Sequence, residues 1–533
     1  MKFLYLFLLT LPLLGQDPPR LKMSGGLQLR GIYYNATGLP PRRDPYTYVL
    51  SGNHLFSLYG MQLPFSYSIS NQGNSFQQPF NRFGISPTYK WITLHAGYRN
   101  LSFSPYTLDG QTLLGAGLEL RPGKFRWGLV QGRINKATAV DSSSGQTWAQ
   151  SFHRTALAAY AGYEGENLAF NLSYLQAKDR SGTALDSMSL RPAANSALGA
   201  GIRWRFLPRL TIRADGGLSL YTRDRFSTLA VQPTSSSAGK IYDAFHLNAT
   251  SEYYLAYSAA LSYHSPAWSV DLLWKYVDPN FEAMGAYYFQ NDVKSLSIAP
   301  KLQLLKGKLR FDASLGLQED NVLQQKETST RRIITNSSLN YEANDRFSID
   351  GNFSNYSSNA QPKVTLVQNK YLLAQTNTNY SLSPRWLIPG KRSNQMLLLS
   401  FHGAGLKDLH AEGQDIQTQM ALFSYHYLHQ KYSLLAGINY TTNRFLLGKM
   451  KNYGWQAGAN TALLKNALQL GFNYTMTWSE GLQGKGKIHT AQLNGTYKIT
   501  KKQQLQARTN LLQNGVGLRY NEFTAELAYA LNF

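Results

Sequence analysis

The chain has no cysteine, so a disulfide framework, a thiolate-based metal site and a lipid-anchored N-terminus are all closed to it. Beyond residue 15 it also lacks any apolar stretch near the ~18 residues that a membrane-spanning helix requires. Mean hydropathy is -0.33, and a helical membrane protein would not look like this. No Gly-rich phosphate cradle followed by Lys-Ser or Lys-Thr occurs, which removes the common nucleotide-binding motif. Acidic residues are the scarce charge: 30 Asp and Glu face 53 Lys and Arg, a formal net charge of +23. Those cations are spread along the chain without a recognised module or a concentrated stripe, so no nucleic-acid partner is expected.

What is present is aromatic and periodic. Aromatic residues make up 13% of the chain, including 35 Tyr. In the last segment Phe523, Ala525, Leu527, Tyr529, Leu531 and Phe533 share one parity, and Thr524, Glu526, Ala528, Ala530 and Asn532 share the other. Successive side chains of a strand point to opposite faces, so this is a strand with one apolar face and one small or polar face. Leu168, Phe170, Leu172 and Tyr174 alternate with Asn167, Ala169, Asn171 and Ser173 in the same way. So do Leu468, Leu470, Phe472, Tyr474, Met476 and Trp478 against Gln469, Gly471, Asn473, Thr475 and Thr477. Runs of about ten residues match a tilted strand crossing hydrocarbon.

The connections alternate between short and long. Arg121-Pro-Gly-Lys124, Glu164-Gly-Glu-Asn167, Leu207-Pro-Arg209, Ser265-Pro-Ala-Trp268, Lys306-Gly-Lys308, Glu342-Ala-Asn-Asp345 and Lys465-Asn466 are short. Longer polar stretches fall between them, near residues 136–150, 178–195, 223–251, 277–291, 320–329, 356–369, 443–450 and 479–486. Short turns on one side and long loops on the other are the pattern of a membrane meander. The expected fold is all-β: a single transmembrane antiparallel barrel of about 24 strands, between 22 and 26, over residues 16–533.

Residues 1–15 read as a signal peptide: Lys2, an apolar run from Phe3 to Leu14, then Gly15 before Gln16-Asp17-Pro18-Pro19. Leu13 stands where a small residue is usual. Pro64–Arg82 stands out as a long link whose two Pro-Phe pairs argue against a central strand. It is expected on the periplasmic side, either directed into the lumen as a constriction or plug, or extended as a turn.

Alternation, loop asymmetry, leader and terminal Phe together resemble the Gram-negative outer-membrane β-barrel class. That resemblance makes Phe523, Tyr529 and Phe533 the assembly signal read by the barrel assembly machinery, and it implies the cell outer membrane as location. The stretch Phe83-Gly-Ile-Ser-Pro-Thr-Tyr-Lys-Trp91, with His95-Ala-Gly-Tyr-Arg99 and Gly115-Ala-Gly117, is similar to large barrels of Bacteroidota-type envelopes, and implies no particular activity. The chain departs from TonB-dependent receptors, which carry a globular plug ahead of the barrel.

Arg126, Arg203, Arg205, Arg209, Arg213, Lys275, Arg310 and Lys498 fall on the non-apolar parity. A cation facing lipid at mid-depth costs about 2–4 kcal/mol, so these are expected to face the lumen or lie near an interface. There they either favour anions or pair with Asp215, Asp271, Asp312 and Glu526 to hold the wall in shape. The lipid-facing partners are outer-membrane lipid and lipopolysaccharide. No enzyme, cofactor or metal is expected. His426 and His429 lie on opposite faces of a strand, Asp408 and His410 are an isolated pair, and Gly115-x-Gly117 reads as wall glycine. Two functions remain: a porin-like channel for small hydrophilic, perhaps anionic, solutes, and a non-enzymatic accessory barrel of an export or surface-assembly complex filled by another envelope protein.

Overall fold

The computed structural model describes residues 21–71, 82–138, 151–180, 191–229, 236–286, 290–326, 328–362, 374–408, 415–482 and 484–533. The expected signal peptide and His410 lie outside them. One sheet of 27 hydrogen-bonded segments runs through the chain, each antiparallel to the next. Arg82–Ile85 and Thr88–Tyr89 are one strand interrupted at Ser86-Pro87, so the barrel has 26 strands. The first, Lys22–Thr37, pairs with the last, Tyr520–Asn532, from Gly26 opposite Asn532 to Thr37 opposite Asn521. The sheet therefore has no free edge, and every ladder group has a partner strand.

Burial is inverted relative to a water-soluble protein. In the strand Leu168–Arg180, Phe170 and Leu172 are 50% and 63% exposed on the outer face, while Leu175 and Ala177 are 0% exposed on the inner face. The same outward exposure recurs at Trp204, Leu255, Ile333, Ile438 and Phe472. An apolar surface of that extent is stable only against hydrocarbon. Paired aromatics mark its lower border near the short turns, as at Tyr263 with Trp268 (4.6 Å) and Phe347 with Trp386 (4.8 Å), both tilted. Others mark its upper border, as at Tyr257 with Tyr276 (4.9 Å) and Tyr453 with Trp478 (5.7 Å). Amphipathic rings settle at such interfaces.

The closing seam is aromatic as well. Leu27 lies opposite Leu531 and Leu29 opposite Tyr529, so the two apolar parities meet. Phe533 donates its N–H to the Gly25 carbonyl at 3.1 Å. Its ring then stacks on His54, centroids 5.2 Å apart and planes 11° from parallel, with Tyr67 on the same imidazole at 5.5 Å. Gly25 lies opposite His54 and has φ of +135°; a Cβ there would sit 2.1 Å from the Asn53 carbonyl oxygen. Only glycine fits this backbone against Asn53 and His54.

Two expectations are corrected. Pro64 lies within a strand, Met61–Ser70, reached by the tight Tyr59-Gly60 turn. The missing N–H of Pro64 falls beside the interruption at Ser86-Pro87, where no ladder bond is due; Ser86 instead donates to the Pro64 carbonyl at 3.0 Å. This additional strand moves the following connection to the long-loop side, and its residues 72–81 lie outside the described ones. The loops expected near 443–450 and 479–486 are tight reversals, with the strands running to Phe445 and Gly481. The polar residues there, such as Thr441 and Asn443, extend the ladder beyond the hydrocarbon rather than leaving it.

Candidate functional site

The lumen is the candidate site, and its wall is uneven. From the strand Thr112–Leu120 to the strand Val293–Leu304, inward positions are small: Gly128, Ala158, Ala177, Ala197, Gly199, Gly217 and Ala256. Against this arc two connections fold inward. Leu101–Gln111 packs Leu108, 0% exposed, on Leu175, Val130 and Ala197. A Cβ at Gly217 would lie 2.3 Å from the Tyr106 Cβ, and one at Gly128 would lie 2.9 Å from the Phe103 ring. These glycines are the space the segment occupies. Thr107 Oγ1 donates to Ser173 Oγ at 2.9 Å.

The second segment, Asp278–Ala286, joins the first through a short parallel pairing of Gly285–Ala286 with Leu108–Asp109. It is anchored on two buried wall residues. Asn195 Nδ2 donates to Ser219 Oγ at 2.7 Å and to the Glu282 carbonyl at 3.3 Å, and Asn195 Oδ1 accepts the Met284 N–H at 3.1 Å. Ser219 Oγ donates to the same Glu282 carbonyl at 2.6 Å. Beside them Arg154 grips Asp179 at 2.8 and 3.0 Å, a two-pronged pair whose carboxylate also accepts the Ala193 N–H at 3.1 Å. A cavity of about 650 Å³ remains next to Phe281 and Glu282, lined by Arg154, Tyr221, Arg223 and Tyr254.

The rest of the wall, from Val293–Leu304 to Gln503–Asn514, is rich in hydroxyls and amides. Asn336, Ser338, Asn352, Ser354, Asn379 and Ser381 line a concavity of about 700 Å³. Asn352 Nδ2 donates to Ser381 Oγ at 3.3 Å, and Ser383 Oγ to Ser400 Oγ at 3.1 Å. Such a surface is wetted mainly by uncharged groups, with Lys301 and Asp312 at its edge.

Most of the basic residues singled out from the sequence lie inward but low, near the short turns. Arg126 pairs with Glu164 at 3.0 Å beside the Arg121–Lys124 turn. Arg203 lies opposite Arg213, two strand positions from Arg205, and these three form no ion pair among the described residues. Arg209 sits in the Pro208-Arg209 reversal expected from the sequence, between the paired Leu207 and Leu210. Arg310 lies opposite Gln303 and Lys498 opposite Gln504. Lys275 is the exception in height, two residues below Val277 at the inward segment. Of the carboxylates expected to neutralise them, Glu526 instead lies 3.8 Å from Arg30 and Asp312 lies opposite Lys301, two cations outside that set.

His426 bonds Ser424 at 3.1 Å on the inner face, while His429 stacks on Tyr432 at 4.7 Å, so the two rings do not converge. Of the Asp408 and His410 pair, only the backbone of Asp408 is described. Among the described residues no group of three His, Asp or Glu could hold a metal ion. The residues that sequence reasoning missed are Asn195, Ser219, Tyr106 and Glu282. The available signal was the run of small inward residues on neighbouring strands.

No family model matches the chain, and no curated protein matches it. Among solved structures it is similar to the translocation pore of the P pilus usher PapC, at 12% identity and a TM-score of 0.41 over 95% of this chain and 98% of that one. It is similar to the copper transporter OprC at 8% identity and 0.42, covering 97% and 81%. The BenF-like porin from Pseudomonas fluorescens gives 12% and 0.31, covering 96% and 99%. The assignment rests instead on the closed register, the apolar exterior and the hydroxyl-rich interior, and these make the protein a large outer-membrane β-barrel with a narrowed lumen.

Proposed function

We propose that the protein is a diffusion channel for small hydrophilic solutes, with a preference for anions. The observation that supports this best is the lumen itself: a wetted wall on one side and two anchored inward segments on the other. Barrels of 16–18 strands already leave an aqueous channel, so 26 strands leave one that needs narrowing to remain a sieve. Arg203, Arg205 and Arg213 supply an unneutralised positive field at the periplasmic mouth, which raises local anion concentration. The constriction expected at Pro64–Arg82 is thereby reassigned to Leu101–Gln111 and Asp278–Ala286.

Planar-bilayer recording of the refolded barrel tests the proposal. Stepwise currents with a reversal potential biased toward anions support it. A silent barrel that holds a co-purifying envelope protein would replace it with the accessory role in an export or surface-assembly complex. The reading also proposes lipopolysaccharide phosphates against the long-loop face, recognition of Phe523, Tyr529 and Phe533 by the assembly machinery, and a Bacteroidota-type envelope as the setting.

A further inference from the structure

We infer that the short-turn rim of this barrel is a docking surface for anionic phospholipid headgroups. The turns at that end carry Lys306, Lys391, Lys431, Lys465, Lys501 and Lys502, all exposed. None of these six forms an ion pair among the described residues. Within the short turns the acidic residues are Glu164, which pairs with Arg126, and Glu166, Glu342 and Asp345. At the long-loop end several cations are answered: Arg223 pairs with Glu252 at 3.0 Å, Arg331 pairs with Glu319 at 2.5 Å, and Lys326 pairs with Asp292. The six short-turn lysines have no such answer among the described residues.

Three features favour a lipid leaflet over a protein partner. The cationic turns recur along the half of the barrel from Lys306 to Lys502, interrupted at Asp345, so the charge is spread along a rim rather than gathered in one patch. Exposed apolar side chains sit beside the cations, Leu305 at 59% and Leu464 at 65%, as suits a boundary between headgroup and acyl chain. Finally, Leu305-Lys306 and Leu464-Lys465 hold left-handed backbone, with φ of +54° and +57° and of +50° and +54°. Gly307 and Asn466 complete these reversals with φ of +88° and +70°, and the Leu and Lys ahead of them stand exposed at the tip. Each Lys close to an anionic membrane surface strengthens partitioning roughly fivefold, and the effect fades within a Debye length.

The test uses the full-length barrel in neutral detergent, with phosphatidylglycerol or phosphatidylcholine in mixed micelles, reading lipid retained per protein after gel filtration. Phosphatidylglycerol is expected to be retained at least about tenfold over phosphatidylcholine at low salt, with the preference collapsing near ~1 M salt, where screening is complete within ~3 Å. Lys306→Gln, Lys391→Gln, Lys431→Gln, Lys465→Gln, Lys501→Gln and Lys502→Gln combined should abolish the preference. Arg42→Gln with Arg519→Gln, at the long-loop end, should leave it intact. Equal retention of both lipids, or equal loss in both variants, overturns the inference. So does displacement of the lipid by inorganic phosphate at matched phosphate concentration, or a poly-glutamate peptide bound more tightly than the lipid. Should the combined variant not fold, the salt titration of the native barrel decides alone.

Discussion

Asn195 is 1% exposed and spends both ends of its amide on the segment Asp278–Ala286 and the neighbouring wall. Each of these bonds contributes about 0.5–1.5 kcal/mol net, and Asn195→Ala removes them together. The barrel, whose ladders are untouched, should keep its melting temperature within a few degrees while single-channel current becomes noisier and larger on average. Traces indistinguishable from the native protein would mean that the segment is held by other contacts. At the seam, Phe533→Ala and His54→Ala should each lower the temperature at which the folded band converts on heating. An aromatic stack adds about 0.5–1.5 kcal/mol beyond area burial, so the double variant should lose less than the sum of the two. Strict additivity would show that the stack is not what holds the seam.

Asp292 offers a pH handle outside the spanning strands. Burial pushes its carboxyl up, but the hydrogen bond from Lys326 and those from the backbone of Val322 and Asn321 outweigh burial, so it titrates below the usual aspartate range. A depressed folded pKa means the tie is fully present above the unfolded value near ~4 and is lost as pH falls through the folded one. Hydrogen exchange at Asn321 to Lys326, corrected for intrinsic rates, should stay slow at neutral pH and accelerate only in that acidic window. Lys326→Gln should accelerate it at neutral pH. An unchanged rate in the variant would remove Lys326 from the account.

Elements were more legible than the residues that decorate them. Alternation in Leu168–Arg180 or Leu468–Gly481 is visible because lipid and water impose opposite demands on the two faces. Met61–Ser70 was hidden because Pro64 signals a break, and only its neighbour's interruption at Pro87 makes the proline harmless. The inward folds were hidden for a different reason: a loop that enters a lumen and one that stays outside share the same turn residues. The mark they leave is on the wall, at Gly128, Gly199 and Gly217. Gly217→Val should therefore expel Tyr106, at an overpacking cost of about 1–3 kcal/mol. Conductance should rise with the strand ladder intact; a native conductance would sink the claim that Leu101–Gln111 narrows the path.

At the scale of the whole molecule, a range of 22 to 26 strands and the side of each connection after residue 111 followed from alternation and connection length, whereas selectivity depends on where charge ends up in three dimensions. Arg203→Gln, Arg205→Gln and Arg213→Gln together should shift the reversal potential toward cations in a salt gradient while leaving the unit conductance nearly unchanged. The difference should shrink as ionic strength rises and the Debye length falls below ~10 Å. An unaltered potential would assign selectivity to the charges around Arg154 and Glu282 instead.

Because both inward segments rest on the same arc of wall, the free passage cannot be centred on the barrel axis. Among the described residues its open side is bounded by Ser338, Asn352, Asn379 and Ser381 and their neighbours. A solute wider than a few water molecules would travel in continuous touch with that one side. The sieve would then discriminate by hydrogen-bonding pattern along a single flank, so flat, hydroxyl-bearing molecules should pass more readily than round ones of equal mass.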